Sequence, residues 1–381
     1  MKKTVSLSIT FLFLTLVFIA GCVVYENADD KRIISNIGLT EEANLPAHCI
    51  DGKYNEGEKG LDCGWSCPNK CKFTEKIGRI ERDETWSGNV HVLGAVVVPE
   101  GVTLTIKPGT VVKFKHDRNY KTYDKGALYV EGGIVKAIGT KDGRIWFTSD
   151  APAPINGDWQ YIRIEDSDES EFDYTVIEFG EGALWQFDSQ AKIAHSIIRW
   201  ACYDALYAER SGPMVKNNLL YSNGYHEIAL EQYNDAKILD NVFKNGKFGV
   251  HHEKTTSYLE GNLFINYSGP PVSGGMESNL TVIGNMFVNI TNPGPYINVY
   301  EGSVLEERDN HYGNNTLLAP KLGFEDIRNF EIDYMPGDPE DKFQYVYDDV
   351  DETRKILKKI GTNLSFGWTL EYVDGYLYRF S

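Results

Sequence analysis

Between about Phe172 and Tyr312 one phrase returns about every 22 residues: an aliphatic residue, a small polar one, any residue, then an aliphatic or aromatic one. The small polar position is Thr175, Ser196, Asn218, Asn241, Asn262, Asn285 and Asn310, at steps of 21, 22, 23, 21, 23 and 25. Two residues on stand Ile177, Ile198, Leu220, Phe243, Phe264, Phe287 and Tyr312, and a second asparagine follows at Asn223, Asn245, Asn266 and Asn289. Seven copies at one period predict a solenoid, because a unit this short cannot bury its apolar face alone and must stack on its neighbours.

Before the repeat, Val96-Val97-Val98, Val102 to Ile106 and Val111 to Phe114 are short β-branched runs divided by Pro99-Glu100-Gly101 and Pro108-Gly109. Runs of this kind, with no helical pattern between them, predict successive short strands and an all-β chain. In stacked coils about 4.8 Å apart, like residues fall above like residues. Phe243, Phe264 and Phe287 then form one inward column, and Asn218, Asn241, Asn262 and Asn285 an internal ladder at the turns. Cys202, amid apolar coil residues, reads as a buried free thiol. The opening phrase, continued by Ile145-Trp146-Phe147-Thr148-Ser149, resembles the first coils of right-handed parallel β-helix proteins, over roughly residues 86 to 316. That fold serves lyases, hydrolases, adhesins and plain scaffolds, so the resemblance specifies architecture and leaves activity open.

The 381 residues carry a formal charge of -17, which argues against nucleic acid as a partner, since phosphates need a basic surface. Lys2 and Lys3 precede an apolar run from about Val5 to Ile19, the layout of an export signal. Ile19-Ala20-Gly21-Cys22 resembles the lipobox of prokaryotic lipoproteins. The resemblance implies a signal peptide over residues 1–21, lipidation of Cys22, and a membrane partner reached through that anchor. The expected location is the extracytoplasmic face, as a cell-surface or outer-membrane lipoprotein. Residues 22–47 are polar and aperiodic and read as a tether.

Residues 48–72 hold four of the six cysteines: Cys49, Cys63, Cys67 and Cys71. So short a segment cannot bury enough apolar area to fold unaided, and disulfides must constrain it, in any of three pairings. Clustered cysteines also suit an oxidising compartment. Asp51, Asn55, Glu58 and Asp62 offer hard oxygens at short spacing, a candidate calcium set, although a solvated acidic loop has the same composition. The string resembles a small secreted repeat found beside surface and adhesive domains, matched at Cys49, Gly52, Asn55, Glu58, Gly60, Asp62, Cys63, Gly64 and Cys67. Trp65 stands where that repeat has a second glycine.

A second column, Asp188, Glu209, Glu231, Glu253, Glu277 and Glu301, recurs at steps of 21, 22, 22, 24 and 24. In register, neighbouring carboxylates would repel by about 1 kcal/mol in water. Such a file must splay, pair with cations or take up protons. His226, His251 and His252 lie beside it. Glu209, Glu231, Glu253 and these histidines are therefore the candidate groove for a glycan or a cation. A solvated turn column inherited from the repeat is the plainer reading.

Paired carboxylates one coil apart could also cleave glycosides. The sequence does not match the Asn-Thr-Asp, paired-Asp and Gly-His-Gly set of pectinase-like hydrolases, nor the Arg base and Asp-rich calcium site of pectate-lyase-like enzymes. The expected function is a lipid-anchored, non-catalytic β-helix that binds a polysaccharide, surface glycan or other partner. A polysaccharide lyase or glycoside hydrolase is the alternative. Asn310-His311-Tyr312-Gly313 resembles the Asn-x-Trp-Gly phrase that closes many such solenoids. Its position sets the β-helix at residues 76–316 and a capping segment at 317–381, since an open end would expose strand edges and core.

Overall fold

A computed structural model describes residues 46–54, 58–64, 66–118, 124–232 and 235–312, and the backbone of two strands near the C-terminus, Thr369–Val373 and Tyr376–Phe380. The signal peptide, Cys22, most of the tether, Asn55, Trp65 and the capping segment apart from those two strands lie outside the described residues. The two late strands pair antiparallel. Every ladder in the coils is parallel, and no α-helix occurs among the described residues.

Each coil contributes one short strand to each of three faces. Face A runs from Val111–Phe114 through Ile197–Arg199 to His311–Tyr312. Face B runs from Ala127–Glu131 through Leu206–Glu209 to Ile297–Val299. Face C is a ten-stranded sheet from Glu84–Trp86 to Val304–Arg308. The long strand Asn89–Pro99 serves two faces: its first half pairs with Val111–Phe114 and its second with Ala127–Glu131.

The two columns expected from the repeat both form inside the coils. Phe243 stacks on Phe264 at 4.7 Å, Phe264 on Phe287 at 5.1 Å and Phe287 on Tyr312 at 5.3 Å. The three phenylalanines are fully buried, each contributing roughly 1.5–3 kcal/mol by leaving water. In the asparagine ladder each backbone N–H donates to the side chain one coil on, from Ser196 to Asn218 (2.8 Å) and from Asn262 to Asn285 (2.9 Å). Each Nδ2–H of Asn218, Asn241, Asn262 and Asn285 donates to the next side-chain oxygen as well. Buried turn amides that cannot join a strand ladder are thereby satisfied.

The residue before each ladder position is left-handed, as at His195 (φ 47), Asn217 (φ 56) and Asp240 (φ 54). In the outer asparagine column, Asn289 donates to Asn266 at 2.7 Å and Asn266 to Asn245 at 3.0 Å. Asn223 departs from that column. Ser222 takes the left-handed place (φ 56), and Asn223 instead accepts the Ala201 N–H at 2.9 Å. Cys202 corrects the sequence reading: it is half-buried and disulfide-bonded rather than a free thiol.

In the N-terminal module the disulfides join Cys49 to Cys67 and Cys63 to Cys71. The module rests on face A and the coil start. Tyr54 meets Trp146 edge-on at 5.2 Å, Lys113 lies over the Tyr54 ring, and Leu61 N–H donates to Asn89 Oδ1 at 2.7 Å.

Candidate functional site

Alternation on face B is clearest in two strands of the central coils. In Leu184–Phe187 and Leu206–Glu209 the first and third residues are buried, and the second and fourth face outward. Strand register then decides which residues share an outward file. Phe187 faces Glu209, Glu209 faces Glu231, Glu231 faces Glu253, and Glu253 faces Gly275. The in-register carboxylates of the central coils are therefore Glu209, Glu231 and Glu253.

Asp188, Glu277 and Glu301 do not belong to this file. They are left-handed turn residues (φ 48, 63 and 51) just past the strand ends, alongside Arg210 and Lys254 (φ 50 and 52). Arg210 clamps Asp188 with two bonds of 2.8 and 2.9 Å and also contacts Glu209. A hydroxyl ladder that the asparagine period did not reveal follows the turn. Ser167 N–H donates to Ser189, Ser189 N–H to Ser211, Thr255 N–H to Ser278 and Ser278 N–H to Ser303. Its signal is present in the sequence as a small hydroxyl residue one or two places after every periodic acid except Glu231.

The neighbouring outward file is Tyr129, Arg163, Trp185, Tyr207, Ala229, His251 and Ser273. Tyr161 stacks on Trp185 at 4.3 Å, Trp185 meets Tyr207 at 5.5 Å, and Phe187 meets Tyr207 at 5.6 Å. The sequence carries this file too, as the residue two places before each in-register acid. Tyr207 joins the two files. Its hydroxyl lies 3.2 Å from Glu209 and 2.9 Å from Glu231. Burial and the Glu231 charge together push its phenol up.

The three histidines separate. His226 is nearly buried, with Nδ1 2.9 Å from Asp204 Oδ1, an oxygen that also accepts the His226 backbone N–H at 3.1 Å. Its ring stacks on His251 at 4.7 Å. His251 spans Ser273 Oγ (2.9 Å) and Glu253 Oε1 (3.2 Å). His252 faces the core, in register with Leu230 and Gly274. It is fully buried, its Nδ1 lies 2.7 Å from the Ser273 carbonyl, and burial lowers its pKa to about 3. It cannot touch a ligand on the outer surface.

Electrostatics distinguish the carboxylates. Burial pushes Glu231 up, opposed by the Tyr207 hydroxyl and assisted by Glu253. The hydrogen bond from His251 holds Glu253 below the usual range. Beyond Glu253 the file ends on Gly275, where a Cβ would lie 2.4 Å from the Tyr300 ring. Only glycine lets that exposed tyrosine lie across the end of the file. Rings thus bracket the acids, Phe187 and Tyr207 at one end and Tyr300 at the other.

The candidate calcium residues are used locally. Asp62 accepts the Gly52 N–H at 3.1 and 3.2 Å, Asp51 that of Lys53 at 2.9 Å, and buried Glu58 that of Asp62 at 3.1 Å. Among the described residues only His48, Cys49 and Cys67 bring three potential ligand atoms together, and the two cysteines are spent in their disulfide. The described members of the calcium set do not converge.

Residues 181–323 match the family described as right handed beta helix region. No curated protein and no solved structure matched the chain. The match spans the coils that carry Glu209, Glu231 and Glu253, and the parallel ladders of those coils agree with it. This region of the chain is a right-handed β-helix.

Proposed function

We propose that this right-handed β-helix is an exported surface protein that binds a glycan, without cleaving it, along the outward side of face B. The observation that carries the reading is the in-register file of Glu209, Glu231 and Glu253 beside Trp185 and Tyr207. Sugars offer hydroxyl donors to carboxylates and C–H surfaces to aromatic rings, so a mixed file of this kind suits them. A sheet surface crossing several coils also suits a chain-like ligand better than a compact one. The test is a panel of polysaccharides presented to the full chain and to the Glu209→Ala, Glu231→Ala, Glu253→Ala triple variant. Binding by the parent and its loss in the variant is expected; equal binding by both would overturn the assignment to this face.

Export is supported by the signal-like N-terminus and by the paired cysteines of the module. The lipid anchor at Cys22 belongs to the same proposal. Mass spectrometry of the N-terminal peptide tests it: a lipid mass on Cys22 is expected, and an unmodified Cys22 would remove the anchor.

One observation favours a second reading, a glycoside hydrolase. Glu231 is pushed up while Glu253, one coil away, is held down. That division of a carboxyl pair matches the needs of a general acid and a partner that stays ionised. New reducing ends without unsaturated products from the same panel would establish it over simple binding.

A further inference from the structure

The charges on face B are unevenly answered. Glu209 holds Arg210 and the Tyr207 hydroxyl. Glu231 has that hydroxyl as its hydrogen-bond partner and no lysine or arginine. Glu253 has His251, and Asp204 has His226. Among the described residues no lysine or arginine forms an ion pair with Glu231 or Glu253, which face one another in register. Two half-buried carboxylates about 4.8 Å apart along the coil axis repel. Tyr207 and His251 answer them with one hydrogen bond each, no lysine or arginine among the described residues closes on either, and both turn outward on an accessible sheet surface.

We infer that face B selects glycans built from amino sugars with free amines, laid along the helix axis so that ammonium groups meet Glu231 and Glu253 while Phe187, Tyr207 and Tyr300 contact the sugar rings. The inference rests on the glycan-binding reading and narrows it. Charge complementarity carries it: an ammonium supplies a fixed countercharge, which no lysine or arginine gives the two acids, and hydrogen-bond donors beyond the single ones from Tyr207 and His251. The rings at the ends of the file favour the same ligand, since a cation beside an aromatic face gains further attraction. A uronate polymer would bring a third negative group to a site that already holds two. An N-acetylated polymer would lose the ammonium while keeping its shape.

The test is titration of the full chain with oligomers of glucosamine, N-acetylglucosamine, glucose and galacturonate at equal length, at about 0.01 M and about 0.15 M salt. The free-amine oligomer is expected to bind roughly tenfold or more tightly than the others, with affinity falling as salt rises. The Glu231→Gln, Glu253→Gln pair keeps the shape and removes the charge. It is expected to erase the preference for the amine, so that the glucosamine and N-acetylglucosamine oligomers bind the variant within about twofold of each other. Tighter binding of the N-acetylated or uronate form, or binding that appears only with added calcium, would overturn the selectivity and leave the glycan-binding reading standing. Absence of binding to every oligomer, together with a negative polysaccharide panel, would remove the broader reading itself. Circular dichroism of the double variant guards against loss of fold as the cause.

Discussion

Glu227 follows His226 in the sequence but is sealed from solvent. The Asn223 amide donates to one carboxylate oxygen at 2.5 Å, and the other has no partner. The buried Tyr267 hydroxyl is likewise unpartnered, and both groups border the space left by Gly246. Burial, opposed by Asn223, pushes the Glu227 carboxyl up to about 8. Its folded value lies above its unfolded one, so between them the folded chain keeps a proton that the unfolded chain has released. Stability from this group is therefore present at low pH and is lost as pH rises from about 4.5 towards about 8, with a slope of up to about 1.4 kcal/mol per pH unit. Glu227→Gln removes the titration and retains an acceptor for Asn223. Urea midpoints of the variant should match the parent near pH 4 and exceed it increasingly towards pH 8. Parallel pH profiles for the two proteins would contradict the assignment.

At the scale of the element, the module and the coils are held by different means. Cys49–Cys67 and Cys63–Cys71 close short loops over sequence separations of 18 and 8, each worth on the order of 2–3 kcal/mol. The coils rely on stacked neighbours. Reduction should therefore release residues 46–72 and, although it also opens the disulfide of Cys202, leave the coils from Leu184 onward protected by their stacking. Hydrogen exchange with and without reductant measures this, and simultaneous loss of protection in both parts would contradict it.

The same contrast explains what could be read beforehand. The asparagine ladder was legible because each Asn performs one backbone task per coil, so its period and its role coincide. The carboxylate file was legible only in part. Asp188 and Phe187 are adjacent, yet one is a turn residue and the other faces Glu209. A spacing of 21 to 24 cannot tell strand from turn when coil length varies by the same amount. His252 failed for a related reason. Adjacent residues of a strand point to opposite faces, and two consecutive histidines carry no mark of which is inside.

For the molecule as a whole, face B works as a surface because the core beneath it is uniform. Leu184, Leu206, Ile228, Val250 and Val272 lie in register under the outward files, so successive coils present their acids and rings at a constant level. The sequence displayed this architecture through its period. The bracket of Tyr300 over Gly275 was hidden, because the file position that holds acids at Glu231 and Glu253 passes to a glycine and then a tyrosine, and the period does not mark that exchange.

The ladder also governs how such a chain can change its length. Each asparagine, like Asn241, binds only an amide and a carbonyl of the coil before it and the side chain of the coil after it, so a coil has no address of its own. Excising residues 263–285, the 23-residue step from Asn262 to Asn285, would bring Phe243 against Phe287 and Asn262 against Asn310, partners of the same kind as those removed. The shortened protein should fold cooperatively with parent-like circular dichroism, whereas a deletion half as long should not. Gain or loss of whole coils is thus a mutation that the architecture absorbs without a seam.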